Sequence, residues 1–216
     1  MIDSHCHLTD ERFTDDLDAV LQRAAAAWTA WMVTIADSVA ESKKCIATAQ
    51  KYEQIFCSVG VHPHKAKEWT TTSAQSLRDH ATSSQKVVAV GEIGLDYHHV
   101  KPLQGHVASY DFSPRDVQRR VFQEQLELAK ELHIPVVVHC REAVEDVWSM
   151  VDVARPEKLV MHCCTERWED VRRFVDRGYV LSFTGIATYP KSEEVRRTIH
   201  ACPLERMMVE TDAPYL

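Results

Sequence analysis

The chain has 216 residues, of which 45% are hydrophobic and 26% are charged, and its formal net charge is −7. This composition is typical of a globular protein with material for a hydrophobic core, and it excludes collagen-like and low-complexity classes. The negative charge argues against a broad electropositive surface for duplex DNA, although bound metal ions could supply positive charge at a local site.

Eight short apolar runs recur along the chain, and most are rich in Val, Ile and Met without alternating polar residues. Such runs are typical of strands that are buried on both faces of a parallel sheet. The predicted strands span residues 1–5, 31–36, 55–61, 86–93, 134–140, 158–164, 179–185 and 206–212.

Helical patterns separate these runs, and the clearest one covers residues 113–133. Ser113 can cap the N-terminus of this helix, and Pro114 suits its first position. An apolar stripe at helical spacing follows, formed by Val117, Val121, Leu128 and Leu132. The weaker helical patterns cover residues 10–27, 41–52, 73–82, 142–153, 167–177 and 192–201.

The regular alternation of strands and helices predicts βαβ units with right-handed crossovers. Eight strands in this order favour a (β/α)8 TIM barrel that forms one domain over residues 1–216, with a doubly wound open sheet as the alternative. Only four residues follow the last predicted strand, so we expect the barrel to lack its final C-terminal helix. The active site of a TIM barrel is built at the C-terminal ends of its strands.

Imidazole and carboxylate groups lie at the ends of most of the predicted strands. They are His5 and His7 in the first strand, His62 and His64 after the third, Glu92 in the fourth, His139 in the fifth, His162 in the sixth and Asp212 in the eighth. Side chains two residues apart share one face of a strand, so the first two histidines point the same way. A barrel brings all these groups to one rim.

A metal site is the interpretation that this joint pattern favours. Taken singly, His139 and His162 would more often be hydrogen-bonded core histidines, and Glu92 could belong to a structural ion pair. Nitrogen and oxygen ligands of this kind suit zinc, manganese, iron or magnesium. The set is larger than the three protein ligands of one catalytic ion, so two divalent ions about 3.5–4 Å apart, bridged by a carboxylate, use it better.

Six segments together resemble the TatD family of metal-dependent deoxyribonucleases, which belongs to the amidohydrolase-like barrels. They are MIDSHCHL, GVHPH, GEIGLDY, PVVVHCREA, the HC pair at 162–163 and ETDAPYL. The resemblance extends from residue 1 to residue 216, and it implies a TIM barrel with up to two divalent metal ions. Two segments depart from the family pattern: the connection at 98–112 is longer than usual, and HCCTE replaces an HCFSG-like turn.

The resemblance also implies roles for individual residues. The implied ligands are His5, His7 and Asp212 for one ion, His139 and His162 for the second ion, and Glu92 as the bridge between them. His64 and Arg141 match positions near the bound substrate.

Three hypotheses for the function follow. The first is a deoxyribonuclease that hydrolyses phosphodiester bonds in single-stranded DNA or at DNA ends, with 3′-to-5′ exonuclease action implied by the resemblance. Metal ions would activate water, and Asp212 would serve as general base beside the bridging Glu92. The second is a hydrolase of carboxylic esters or amides, such as an aminoacyl-RNA end, which the acidic net charge favours. The third is a non-catalytic, metal-bound scaffold.

Aromatic and basic residues near the predicted rim are compatible with a grip on single-stranded nucleic acid, although a solvated rim explains each of them equally well. They are Lys65, Lys67, Trp69, Tyr97, Lys101, Tyr110, Tyr189 and Lys191.

The cysteine content bears on the cellular compartment. The seven cysteines are odd in number and include no Cys-x-x-Cys pair, so neither a disulfide framework nor a structural zinc knuckle is indicated. The strand pattern begins at Met1, which leaves no room for a signal or transit peptide, and no apolar run approaches the ~18–20 residues of a membrane span. Reduced thiols therefore predict a cytoplasmic location.

Overall fold

All eight predicted strands form in the structure, a computed structural model that describes residues 1–98 and 112–216. They are β1 (Ile2–Cys6), β2 (Trp31–Thr34), β3 (Ile55–Val59), β4 (Val87–Asp96), β5 (Val136–Arg141), β6 (Leu159–Met161), β7 (Val180–Phe183) and β8 (Met207–Val209). The strands pair in parallel, in sequence order from β1 to β8. This is the predicted (β/α)8 barrel, and the alternative of a doubly wound sheet is wrong because the strand order never reverses.

Seven α-helices lie between the strands in the described part of the chain, one in each connection. They are α1 (Leu17–Ala26), α2 (Val39–Lys51), α3 (Ser73–Thr82), α4 (Arg115–Leu132), α5 (Val144–Ala154), α6 (Trp168–Asp176) and α7 (Glu193–Ala201). No helix follows β8 within residues 1–98 and 112–216. None of the helices in these ranges combines the length and the hydropathy needed to span a lipid bilayer.

The apolar stripe of α4 packs as its spacing predicts. Val121 and Leu128 are buried, and Val117 and Leu132 pack against the same cluster. The predicted N-terminal cap is wrong, because the Ser113 hydroxyl accepts a hydrogen bond from the Lys67 amide at 2.8 Å and donates one to the His64 carbonyl at 2.8 Å. The serine therefore joins the start of α4 to the 3₁₀-helix that follows β3 (Pro63–Glu68).

The core forms two clusters between the strands and the surrounding helices. One contains Leu126 of α4, Val138 of β5 and Phe174 of α6, and the other contains Ile55 of β3 and Leu77 of α3. All seven cysteines have free thiols, and six of these residues are buried.

The first and last strands are joined by hydrogen bonds between residues 3–7 and residues 211–213, which are distant in sequence. The Asp212 amide donates to the His5 carbonyl at 2.9 Å, and the His7 amide donates to the Ala213 carbonyl at 2.7 Å. The Asp3 carboxylate accepts hydrogen bonds from the amide and the hydroxyl of Thr211 at 3.0 and 2.7 Å. These contacts hold the histidines of β1 beside the aspartate after β8.

Candidate metal centre

The first candidate ligand group joins the two ends of the barrel. The Nε2 atoms of His5 and His7 lie 3.2 Å apart, and Asp212 Oδ1 lies 3.5 Å from the first and 3.3 Å from the second. These three ligand atoms lie within 4.8 Å of one another, as a common metal ion requires. Both histidines are buried, so the group is shielded from bulk water.

The tautomer of His7 suits metal binding. Its Nδ1 lies 3.1 Å from the carbonyl oxygen of Ile35, which can only accept a hydrogen bond. The Nδ1 atom therefore carries the proton, and the lone pair of Nε2 points into the ligand group. This is the usual arrangement of a metal-binding histidine, whose second nitrogen donates to a carbonyl or carboxylate.

His5 lacks such a partner. Its Nδ1 is buried without a hydrogen bond, and burial lowers the pKa of the ring. A neutral ring in this position has a lone pair to offer, close to the lone pair of His7 and to the Asp212 carboxylate. A cation at their meeting point would satisfy all three groups.

Glu92 extends between the two ends of the centre. Its Oε2 lies 3.5 Å from His5 Nε2, and its Oε1 lies 2.7 Å from both His139 Nδ1 and His162 Nε2. Burial alone would raise the pKa of Glu92, but the surrounding imidazoles, above all His162, hold it well below its usual value. Each carboxylate oxygen thus faces a different set of imidazoles, which is the geometry expected of a bridging ligand.

Local backbone structure aims Glu92 into the barrel mouth. The β4–β5 register shifts between Val90 and Ile93, and the Glu92 amide donates to the Ala36 carbonyl at 2.8 Å. Two glycines make room for this irregularity. A Cβ on Gly91 would lie 2.6 Å from the Cβ of Val137, and Gly94 has φ +140° with its missing Cβ only 2.0 Å from the His139 carbonyl. The glycines of GEIGLD therefore permit close packing of β4 on β5.

The second candidate group consists of His139 and His162 around Glu92. The two ring nitrogens that face Glu92 lie 3.3 Å apart. Burial would lower the pKa of both rings, but nearby carboxylates raise it, to well above the usual value for His162. In the metal-free protein, the ring nitrogens that face Glu92 carry protons. A bound cation would take the place of these protons.

Each of these two histidines has a carboxylate behind it. His139 Nε2 lies 3.3 Å from Asp96 Oδ2, and His162 Nδ1 lies 3.4 Å from Glu210 Oε1. Carboxylates in this position fix ring orientation and tautomer and increase ligand basicity. Although burial opposes it, hydrogen bonds from His139 and His64 hold the pKa of Asp96 below its usual value.

His62 contacts the same glutamate but has a different hydrogen-bonding state. Its Nδ1 accepts a hydrogen bond from the His64 amide at 3.2 Å, so Nε2 carries the proton of the neutral ring. Burial lowers the pKa of His62 to about 4 and keeps the ring neutral. Its Nε2 lies 3.4 Å from Glu92 Oε1, where it acts as a donor. It could join Glu92 and His139 as a metal ligand only by changing its tautomer.

Two cavities open from the centre. One of about 350 Å³ is lined by His7, His62, His64, Lys65 and Tyr215 among others. The other, of about 340 Å³, extends past Cys163, Thr165 and Ile186. The residues common to both cavities are His139, Arg141, His162 and Asp212. The candidate metal centre therefore contributes residues to the walls of both cavities.

Comparison with known proteins places the chain in a family. A family model described as TatD related DNase matches residues 2–216. The chain belongs to this family. It is 36% identical, over all of its length and 79% of the relative's, to the 3′-5′ ssDNA/RNA exonuclease TatD of Cronobacter sakazakii. It is 31% identical to the uncharacterized metal-dependent hydrolase YabD of Bacillus subtilis, again over its whole length and 81% of the relative's.

A solved structure of the TatD family agrees with the fold. The crystal structure of YJJV, the TatD homolog from Escherichia coli K12, matches with a TM-score of 0.88 and 30% identity, and covers 99% of this chain and 79% of that chain. The protein is thus a metal-dependent hydrolase of the TatD family, with candidate His, Glu and Asp clusters at the family's barrel mouth.

The structure brings together all six residues that the sequence predicts as metal ligands in this TatD-family barrel: His5, His7, Glu92, His139, His162 and Asp212. The two predicted substrate residues, His64 and Arg141, line the larger cavity. His64 Nε2 lies 2.8 Å from Asp96 Oδ2. Their roles as ligands and substrate contacts remain predictions.

Sequence reasoning missed two of the carboxylates, Asp96 and Glu210. Both belong to motifs of the TatD-family resemblance, GLDY and ETD, and Glu210 lies two residues before Asp212. The strand-end pattern provides a signal for both, but it does not reveal which histidine each one contacts.

Two of the predicted nucleic-acid contacts are wrong. Trp69 is buried and donates through Nε1 to Glu124 at 2.8 Å, and Tyr97 is buried with its hydroxyl 2.6 Å from Asp146 Oδ2. Both rings pack inside the fold and cannot stack on a base. Lys101 and Tyr110 lie outside the described residues, as does most of the long connection at 98–112.

The other predicted contacts keep a place at the surface. Lys65 pairs with Asp37 at 2.7 Å and lines the larger cavity. Lys67, Tyr189 and Lys191 are exposed. In the HCCTE turn that replaces the usual family sequence, Cys163 and Thr165 line the second cavity.

Proposed function

We propose that the protein hydrolyses phosphodiester bonds of single-stranded DNA or DNA ends, and that it removes nucleotides from the 3′ end. The observation that supports this proposal is the buried carboxylate of Glu92, whose two oxygens face two separate imidazole groups. Relatives over the whole chain are named 3′-5′ ssDNA/RNA exonucleases. Two bound divalent ions would lower the pKa of water and neutralise charge on a phosphate.

The charge of the larger cavity supports an anionic substrate. Its lining includes four carboxylates, from Asp37, Glu92, Asp96 and Asp212, and two cations, Lys65 and Arg141. With neutral histidines the lining has two excess negative charges, and two divalent ions would reverse this to two excess positive charges. A phosphodiester is then attracted to the metal-loaded cavity.

Individual residues of the site take distinct roles in this proposal. Asp212, beside His5 and His7, accepts the proton of the attacking water. Arg141 lies where both cavities meet, and it binds and orients the phosphate. His62 presents its Nε2 proton toward Glu92 and the cavity, so it can donate a hydrogen bond to a phosphate oxygen.

The two cavities support a chain-like substrate. A polymer that crosses the metal centre would place the nucleotide to be released in one cavity and the remaining strand in the other cavity. His64 and Lys65 line only one of the spaces, and Thr165 and Ile186 line only the other. This asymmetry gives the strand a direction, as end trimming requires.

The test uses single-stranded DNA labelled at its 5′ end. Bound metal is first removed from the protein with a chelator. The protein is then reconstituted with magnesium, manganese, zinc or iron and incubated with the labelled DNA. Cleavage from the 3′ end gives a ladder that shortens progressively, and the chelated protein gives none. Scattered fragments would indicate endonuclease action, and no product with any metal in a folded protein would reject the proposal.

Hydrolysis of a carboxylic ester or amide is the second candidate, and the net charge of −7 favours it. An aminoacyl ester and the labelled DNA are compared with the same metal-loaded protein. Faster ester cleavage would assign the site to this second activity, and inactivity on both substrates with metal bound would indicate a scaffold. We further propose a cytoplasmic location, which the seven free thiols support.

A further inference from the structure

Tyr215 is an exposed aromatic residue beside the candidate metal centre. Its ring lies edge-on to the ring of His7, with centroids 5.1 Å apart and an interplanar angle of 82°. It lines the larger cavity together with Glu92 and Asp212, yet the residue remains 57% exposed. Among the described residues that line this cavity, Tyr215 is the single Phe, Tyr or Trp. A ligand at the centre therefore meets this ring.

The ring is held in place from the side of the loop after β1. The Tyr215 hydroxyl donates to Asp10 Oδ2 at 3.0 Å, and the Arg12 guanidinium carbon lies 4.5 Å from the ring centre. Arg12 also binds Asp10 through Nε at 2.8 Å and Nη2 at 3.1 Å. Burial raises the pKa of Tyr215 to about 12, so the hydroxyl keeps the proton that it donates. A ring ordered in advance loses little conformational entropy when a ligand binds.

Arg12 covers the ring but does not line the cavity. The guanidinium therefore covers one face of the ring, and the residue contributes to the cavity lining beside it. A cation behind an aromatic ring withdraws electron density by electrostatic attraction to the ring face. Such a ring is suited to stack on a flat, electron-rich partner.

We propose that Tyr215 stacks on a nucleobase next to the phosphate at the centre, and thereby selects nucleotides over other phosphodiesters. This inference rests on the proposed function, because it requires the phosphate to bind beside His7 and Asp212. Every base has a π-face, so stacking tolerates any sequence. Tyr215 is therefore expected to recognise the presence of a base and to discriminate little among the four bases.

The test compares equilibrium binding of two single-stranded oligonucleotides. One has a normal sequence, and in the other the last two 3′ nucleotides lack their bases. Base stacking contributes about 5- to 150-fold in affinity, so the wild-type protein should bind the abasic oligonucleotide weaker by that factor. Tyr215→Phe keeps the ring over Arg12 and should retain the preference, whereas Tyr215→Leu should bind both oligonucleotides equally.

Metal content and thermal unfolding of the three proteins serve as controls, because the Tyr215 ring contacts the candidate ligand His7 and the Tyr215 hydroxyl contacts Asp10. Equal binding of the two oligonucleotides by the wild type, or a preference that survives in Tyr215→Leu, overturns the stacking role. Cleavage measured in parallel separates the two proposals. Cleavage without a preference for the normal oligonucleotide would retain the nuclease proposal and reject the stacking role of Tyr215. A preference without cleavage would retain the stacking role and reject the nuclease proposal. Absence of both would reject both proposals.

Discussion

The two candidate ligand groups are assembled in different ways. His139 lies on β5 and His162 directly follows β6, and these strands pair with their neighbours from β4 through β6. Each histidine has a carboxylate behind it. His5, His7 and Asp212 come from opposite ends of the chain and meet only where β1 approaches β8. The second group is built into a continuous sheet, whereas the first depends on closure of the barrel.

This difference predicts unequal behaviour of the two ions. The contact between β1 and β8 includes two backbone hydrogen bonds, the hydrogen bonds of the buried Asp3 carboxylate with Thr211, and a hydrogen bond from the Ser4 hydroxyl to the Val209 carbonyl. Among the described residues, His5 Nδ1 has no hydrogen-bond partner, whereas both ring nitrogens of His139 face carboxylate oxygens. We expect the first group to bind its ion more weakly, and Glu92 to couple the two.

The largest effect is expected for Glu92→Gln, which breaks both groups at once. The substitution removes the charge that faces both imidazole sets, so both ions should bind more weakly and DNA cleavage should fall by at least about 10³-fold. Metal stoichiometry by inductively coupled plasma mass spectrometry and cleavage rates check this. Glu169→Gln, on the exposed face of α6, is the matched control. Two ions retained at full occupancy would disprove the bridge.

Asp212→Asn should separate the groups. The Asp212 carboxylate lies 3.5 Å from His5 Nε2 and 3.3 Å from His7 Nε2, so the ion of this group should be lost and the other kept. Cleavage should fall by about 10²- to 10³-fold, since the general base is removed as well. His139→Asn should give the opposite pattern of metal loss. If either variant loses both ions together, the two groups form one site.

Glu210→Gln should produce a smaller and selective effect. It removes the charge behind His162 but keeps an oxygen that can accept from the Cys163 amide, which lies 2.6 Å from Glu210 Oε1. Metal affinity of the second group should fall by about 10- to 100-fold, with the first group unchanged. Isothermal titration with manganese measures both sites, and Glu205→Gln, exposed before β8, is the control. Weakening of the first group instead would contradict the assignment.

The smallest predicted effect concerns the metal-free protein and pH. The folded-state pKa of His139 and of His162 is raised above the ordinary value of 6.5, so their contribution to stability is complete below pH 6.5 and is lost as the pH rises further. Stability in chelator should therefore decrease as the pH rises above 6.5. The metal-loaded protein should show the opposite trend, because protons compete with metal.

Thermal unfolding over this pH range checks the prediction. His139→Asn in chelator is the control, and it should reduce the pH dependence because one of the three histidines with a raised pKa, His7, His139 and His162, is gone. Metal-free protein that gains stability as the pH rises from 6.5 would show that the imidazoles beside Glu92 are not protonated in the folded state.

The fold and the clustering of the candidate ligands could be predicted from the sequence through a short-range rule. A polar residue at the end of an apolar strand in a barrel lies at the mouth, so Glu92 and His139 could be placed without knowledge of their contacts. Predicted strand ends were less accurate, since β6 ends at Met161 and the predicted run extends through residue 164. A strand and the turn after it have the same apolar character.

Contacts between distant segments were not predictable in this way. Ser113 has the right type and position for a helix cap, but its hydroxyl is used by His64 and Lys67. Trp69 looks like a rim residue until the packing of Glu124 on α4 is known. The position of Tyr215 at the site could not be predicted from the sequence, because its partners, Asp10 and Arg12, lie at the other end of the chain.

The most direct test of the central claim is anomalous diffraction from crystals soaked in manganese. The account predicts two manganese peaks at the barrel mouth, one beside His5, His7 and Asp212 and the other beside His139 and His162, with an oxygen of Glu92 on each ion. A single peak, or peaks that leave Glu92 without a metal contact, would contradict it.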